Sequence, residues 1–231
     1  TCISYVTIFT TSANNLLDQP QMRQLSNIDR TMSHFDSALR TAFGAGKRKT
    51  SFQHCHKEAG LTDVARARSG ELMRINHCGE ICAQALYHGQ ALTAKDGQTK
   101  QHLLAAADEE ADHLGWCEAR LDELNERTSH LNAFWYASSF FIGALTGLMG
   151  NRVNLGFVAA TEEEVCKHID RHLSEVAEED LRTREILLAM REDELKHQAD
   201  AIDLGGAVFP GWLKRLMTLS SKAMTTSTRY I

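Results

Sequence analysis

A lone Glu followed by a Glu-x-x-His occurs once in each half of the chain, and this repeat limits the fold more than any other feature. Glu80 precedes Glu110-Ala111-Asp112-His113, and Glu162 precedes Glu194-Leu195-Lys196-His197, at nearly matched separations. An i, i+3 spacing sets the Glu and His about one helical turn apart on one face, so both side chains reach a common point. A single such motif arises readily by accident in a chain with this many Glu and His, and carries little weight alone. The paired context carries more. Lys95-Asp96-Gly97 lies midway between Glu80 and Glu110, and a helical hairpin turning there brings the two carboxylates level. Glu178-Glu179-Asp180 offers the second half an equivalent turn.

The neighbours of each carboxylate decide whether it points inward. Around Glu80, positions at helical spacing hold Met73, His77, Ala83, Gln84 and Tyr87; around Glu110 they hold Leu103, Ala106, Ala107, Leu114 and Cys117. Within Glu162-Glu163-Glu164 only Glu162 has apolar residues at all four near positions, Val158, Ala159, Val165 and Cys166, while the face of Glu164 suits solvent. Burying unpaired carboxylates costs several kcal/mol each, so an inward-facing set needs compensating positive charge. Two divalent cations held by Glu80, Glu110, His113, Glu162, Glu194 and His197 would provide it. The ligand set resembles that of the ferritin-like four-helix bundles. Four carboxylates with two imidazoles and no thiolate favour iron or manganese over a structural zinc site. Taken one at a time, each of these Glu residues also reads as an ordinary solvated helix position.

A chain of 231 residues with 43% hydrophobic residues suffices for one domain with a substantial core. The formal net charge of −5 gives no reason to expect a nucleic-acid partner. Pro20 and Pro210 are the only prolines, which leaves long uninterrupted helices between them. The six cysteines contain no Cys-x-x-Cys pair and read as free thiols in a reducing compartment.

Residues 1 to 17 lack the basic leader and continuous apolar core of a secretory signal, and residues 1–19 read as a flexible extension ahead of a single domain over 20–231. Leu25, Ile28, Met32, Phe35, Leu39 and Phe43 recur at helical spacing in an amphipathic accessory helix. A polar, basic linker follows to about Gly60; it contains His54 and His56, which read as loop histidines. The bundle helices are expected over Thr62/Asp63 to Thr93, Gln98 to Arg127, Arg152 to Ala177 and Leu181 to Leu204. Between the halves, Asn132 to Gly150 carries no charge and approaches the length of a membrane span, but Ser138, Ser139, Thr146 and three glycines dilute it. It reads as a crossover helix packed along the bundle and partly meeting lipid, or as a buried connector. After Asp203 no acidic residue occurs, while Lys214, Arg215, Lys222 and Arg229 alternate with Trp212, Leu213, Leu216, Met217, Leu219 and Met224. Such a basic amphipathic helix suits either an anionic membrane surface or docking onto the bundle.

Asn76-His77-Cys78-Gly79-Glu80, Tyr87-His88-Gly89-Gln90 and Gly156-Phe157-Val158-Ala159-Ala160-Thr161-Glu162 resemble the demethoxyubiquinone hydroxylases, the bacterial members in particular. These are ferritin-like di-iron monooxygenases of ubiquinone biosynthesis, and the likeness covers roughly residues 20 to 220. Cys78 departs from the family motif, which usually has Ala there. The resemblance implies two iron ions, one held by Glu80, Glu110 and His113, the other by Glu162, Glu194 and His197, with bridging carboxylates left unassigned. It implies O2-dependent hydroxylation of the ring of 2-polyprenyl-3-methyl-6-methoxy-1,4-benzoquinol at the cytoplasmic face of the bacterial inner membrane. It leaves open the electron donor, NADH or quinol, and a homo-oligomeric state. By likeness to related di-iron oxygenases, Glu109 and Asp193 orient ligand histidines or are plain solvated acids. Tyr87 lines a substrate channel or packs in the core, and His168 sits off the ligand face. The rival reading is a ferritin-like iron-oxidation or iron-binding protein without quinol hydroxylation; a third is a membrane-associated scaffold whose Glu and His residues form ordinary ion pairs.

Overall fold

The structure, a computed structural model, describes residues 51–57 and 60–231. The expected extension at 1–19 and the accessory helix from Leu25 to Phe43 lie outside the described residues. Among those described the regular structure is all helical: α1 (Asp63–Thr93), α2 (Gly97–Leu124), α3 (Asn132–Leu148), α4 (Asn151–Glu175), α5 (Leu181–Asp203) and α6 (Gly211–Tyr230).

Local chemistry sets the boundaries. Thr62 Oγ1 accepts from Ala65 N at 3.2 Å, Asp96 from Thr99 N at 2.7 Å and Asp180 from Thr183 N at 3.1 Å, each satisfying a backbone donor left free at a helix start. The second bundle helix stops at Leu124, short of Arg127, because Asn125 takes a left-handed conformation (φ 57°) that Asn tolerates better than most residues.

α1 pairs with α2 and α4 with α5 as hairpins, and the hairpins meet through α1 against α4 and α2 against α5. α3 lies along the outer side of α1, and α6 lies against α1 and α4. The core divides along the bundle axis. Leu72, Met73, Cys117, Leu121, Ile186 and Met190 fill one end, while Ala83, Tyr87, Ala91, Leu103, Ala107 and Val158 fill the other. Glu80, Glu110, Glu162 and Glu194 fall between the two on their respective helices. The first end is clamped by Arg120, wholly buried on α2. Its Nη2 donates to Asp180 Oδ1 at 2.7 Å and its Nε to Thr183 Oγ1 at 2.9 Å, tying α2 to the turn between α4 and α5.

α3 approaches α1 closely because glycines face the contact. A Cβ on Gly143 would sit 2.2 Å from the Leu86 carbonyl oxygen, and one on Gly89 would sit 2.2 Å from that of Phe140. The opposite face of α3 is not buried: Phe134, Phe141 and Leu148 are about three-fifths exposed. Among the described residues no helix is long and apolar enough to cross a membrane. α6 docks at both ends. Lys214 pairs with Glu163, Thr218 Oγ1 donates to Glu164 at 2.9 Å, Thr228 Oγ1 donates to Cys78 Sγ at 3.4 Å, and Arg229 pairs with Glu71. Two of the basic side chains in the tail therefore make ion pairs within the chain. Trp212, Leu216 and Leu219 remain exposed.

Candidate metal centre

The structure brings Glu80, Glu110, His113 and Glu194 within reach of a single ion, all four buried. Glu162 and His197 complete the group from α4 and α5. His113 Nδ1 lies 3.1 Å from Glu110 Oε2, 3.5 Å from Glu194 Oε1 and 3.6 Å from Glu80 Oε2. His197 Nδ1 lies 3.3 Å from Glu110 Oε1 and 3.4 Å from Glu194 Oε2. Glu110 and Glu194 thus each turn one oxygen to each imidazole, while Glu80 and Glu162 approach from the other pair of helices.

The acids ahead of each motif are exchanged between the motifs. Asp193 on α5 accepts at 3.0 Å from Nε2 of His113 on α2, and Glu109 on α2 accepts at 2.9 Å from Nε2 of His197 on α5. Each helix therefore orients the imidazole of its neighbour, with Nδ1 left facing the carboxylates. Both acids are about two-fifths exposed, so on this side one carboxylate separates each histidine from solvent. Tyr87 is wholly buried, and its hydroxyl donates to Glu162 Oε1.

Burial and the closeness of the carboxylates to one another favour protons on several of these groups. Burial pushes the carboxyls of Glu80 and Glu162 well above the ordinary range, and Glu110 and Glu194 nearby add to the shift. Burial would likewise raise Glu110, but hydrogen bonds from His113 and His197 outweigh it and hold that carboxyl below its usual value. Burial opposes charge on the two imidazoles; the facing carboxylates prevail, keeping His113 well above its ordinary value and pushing His197 up to about 12.

The residues fit a metal pair. Glu80 Oε2 and Glu162 Oε2 are buried without a hydrogen-bond partner, which is costly for oxygens able to carry charge. Two cations would pair them, and the oxygen-rich donors with imidazole suit iron or manganese.

A cavity of about 470 Å³ adjoins the centre, walled by α1, α3, α4 and α6. Glu80 belongs to its lining, among Leu86, Trp135, Ile142, Phe157, Leu213, Leu216 and Met217. Tyr87 is not part of its lining; it packs in the core and bonds Glu162. Glu164 reverses its expected exposure. It is half-buried in the cavity wall, held by Thr218 and Lys167. His168 also faces the cavity, and burial pushes its imidazole down to about 4. Behind it His172 Nδ1 lies 3.2 Å from Asn76 Oδ1. The period of α4 alone could not flag Glu164 or His168, because the surface they face exists only once α6 has docked.

The model of the family described as ubiquinone biosynthesis protein COQ7 matches residues 67–228. Proteins named 3-demethoxyubiquinol 3-hydroxylase are similar over most of their length. The one from Nitrosococcus oceani is 46% identical over 211 residues, covering 90% of this chain and 99% of its own. Those from Stutzerimonas stutzeri and Azotobacter vinelandii are 48% and 50% identical, covering 90% and 89% of this chain and 98% and 97% of theirs.

Proposed function

Because the chain belongs to the family of ubiquinone biosynthesis protein COQ7, we propose that it is a 3-demethoxyubiquinol 3-hydroxylase. It hydroxylates the ring of 2-polyprenyl-3-methyl-6-methoxy-1,4-benzoquinol with O2, one oxygen atom entering the ring and the other leaving as water. The supporting observation is the position of Glu80. One carboxylate belongs both to the carboxylate and imidazole cluster and to the wall of an apolar cavity, so a ring in that cavity meets the centre directly.

Two iron ions per chain are the cofactor in this reading, held on one side by Glu80, Glu110 and His113 and on the other by Glu162, Glu194 and His197. Glu110 and Glu194, which face both imidazoles, would contribute to both sites. When bound, a pair of Fe(II) ions supplies two electrons to O2, which reacts slowly with closed-shell molecules unaided. The protein's share is placement. Asp193 and Glu109 fix the imidazole tautomers, Tyr87 steadies Glu162 by its hydrogen bond, and the apolar wall keeps water from the ring. Ser138, Ser139, Thr161 and His168 supply polar groups along the wall for the quinol oxygens.

Ile142 of α3 and Leu216 of α6 are exposed and also line the cavity, so the apolar faces of these helices would pass a polyprenyl substrate to it from the cytoplasmic face of a bacterial inner membrane, with the protein bound peripherally. An external donor, NADH or quinol, restores the electrons.

A Mössbauer spectrum of iron-reconstituted protein, with and without short-chain demethoxyquinol, tests the reading. The expected result is a coupled two-iron signal that changes with quinol, together with loss of hydroxylation in Glu194→Ala at preserved helicity. Iron oxidation indifferent to quinol, or full turnover by the variant, would overturn it.

A further inference from the structure

Away from the central pocket, two loop histidines meet a carboxylate from the far half of the chain. The segment entering α1 runs over α5, where His54 Nδ1 lies 3.1 Å from Glu185 Oε2 and His56 Nδ1 contacts Glu185 Oε1. Cys55 N donates to that same Oε1 at 3.2 Å. Two imidazoles thus bracket the two oxygens of one carboxylate across 131 and 129 positions of sequence. The site is partly built before any ligand arrives. The Phe52 ring lies 4.8 Å from the His54 ring and meets Trp116 edge-on at 5.1 Å, and the His54 and Glu185 side chains are only 11% and 17% exposed.

We propose that His54, His56 and Glu185 form a second metal site, for a zinc-class divalent cation, separate from the carboxylate-rich centre. Two imidazoles and one carboxylate make a three-ligand set that tetrahedral Zn2+ accepts, with water in the fourth position. An imidazole-rich, carboxylate-poor set also selects against magnesium and calcium, which take oxygen ligands. His54 packs against Phe52, whereas His56 sits on the other oxygen of Glu185 and is 52% exposed, so closing the third coordination position requires its ring to turn toward His54. Without a cation, imidazole N–H groups donate to the carboxylate; a cation takes the place of those protons, so its binding competes with them. Occupied, the site staples residues 51–57 to α5 and seats Phe52 against Trp116, whose ring lies 5.0 Å from that of His113.

Equilibrium dialysis of the full chain against Zn2+ alone tests the assignment by comparing the wild type with His54→Ala/His56→Ala and with Glu185→Gln. Each variant is expected to bind one equivalent of zinc fewer than the wild type; whatever the central pocket takes up cancels in the difference, so the result stands apart from the hydroxylase reading. Glu185→Gln keeps a hydrogen-bonding side chain of the same shape, so a latch made only of hydrogen bonds would survive in it while zinc is lost. It decides the matter alone if the double variant fails to fold. Equal zinc stoichiometry in Glu185→Gln and the wild type would overturn the proposal.

Discussion

At the scale of single residues, the central pocket depends on groups that do not themselves face its interior. Asp193 and Glu109 each hold the outward nitrogen of a histidine from the neighbouring helix, so neither motif is complete without the other. Asp193→Asn and Glu109→Gln keep an acceptor but remove its charge, and each should weaken Fe(II) binding by roughly 10- to 100-fold. Anaerobic titration would show it; unchanged affinity in both variants would mean the exchanged acids are only surface groups. The sequence left open which histidine each acid would serve, since chain neighbours are all that spacing can show. That each acid serves the opposite motif follows from the packing of α2 against α5.

At the scale of elements, the α1/α3 contact depends on glycine. A Cβ at Gly143 would sit 2.2 Å from a backbone carbonyl oxygen that cannot move aside without displacing α1. Gly143→Val should therefore cost about 1–3 kcal/mol and lower Tm by roughly 2–12 °C. Gly79→Ala is the contrast: nothing lies within 4 Å of the added carbon, so Tm should hold or rise. Equal melting losses in both variants would refute close packing as the reason for Gly143. The four bundle helices were legible from period and caps, to within a few residues at their ends. The uncharged stretch from Asn132 to Gly150 was legible as a helix but not in its orientation, because its glycines gain meaning only from the carbonyls they meet on α1.

At the scale of the whole molecule, pH and lipid act on the packed assembly. Burial, helped by neighbouring cationic groups, pushes His168 down to about 4 and His172 down to about 3, against 6.5 unfolded. At these two sites the unfolded chain binds protons that the native one does not, so their contribution to stability rises with pH up to about 6.5 and is lost as pH drops below it. His172→Asn retains a donor for Asn76 and should flatten the dependence of Tm on pH between about 5 and 7; an unaltered slope would show that this group does not titrate on unfolding. The exposed faces of α3 and α6 lead to a second expectation at this scale. Phe141→Glu/Leu216→Glu should reduce co-sedimentation with anionic vesicles about tenfold or more, as burial of each side chain is worth roughly 1.5–3 kcal/mol. Unchanged sedimentation would remove the membrane from the proposal.

The sequence by itself determined the helical class, the spacing of six convergent side chains and the chemistry of their donors, because helix period is a local property that three- and four-residue intervals record. The tertiary structure alone decided which acid supports which histidine, that Tyr87 bonds Glu162, and that Glu164 and His168 face a cavity roofed by α6. Each of these depends on contact between segments far apart in the chain, and no interval along the sequence encodes such a meeting.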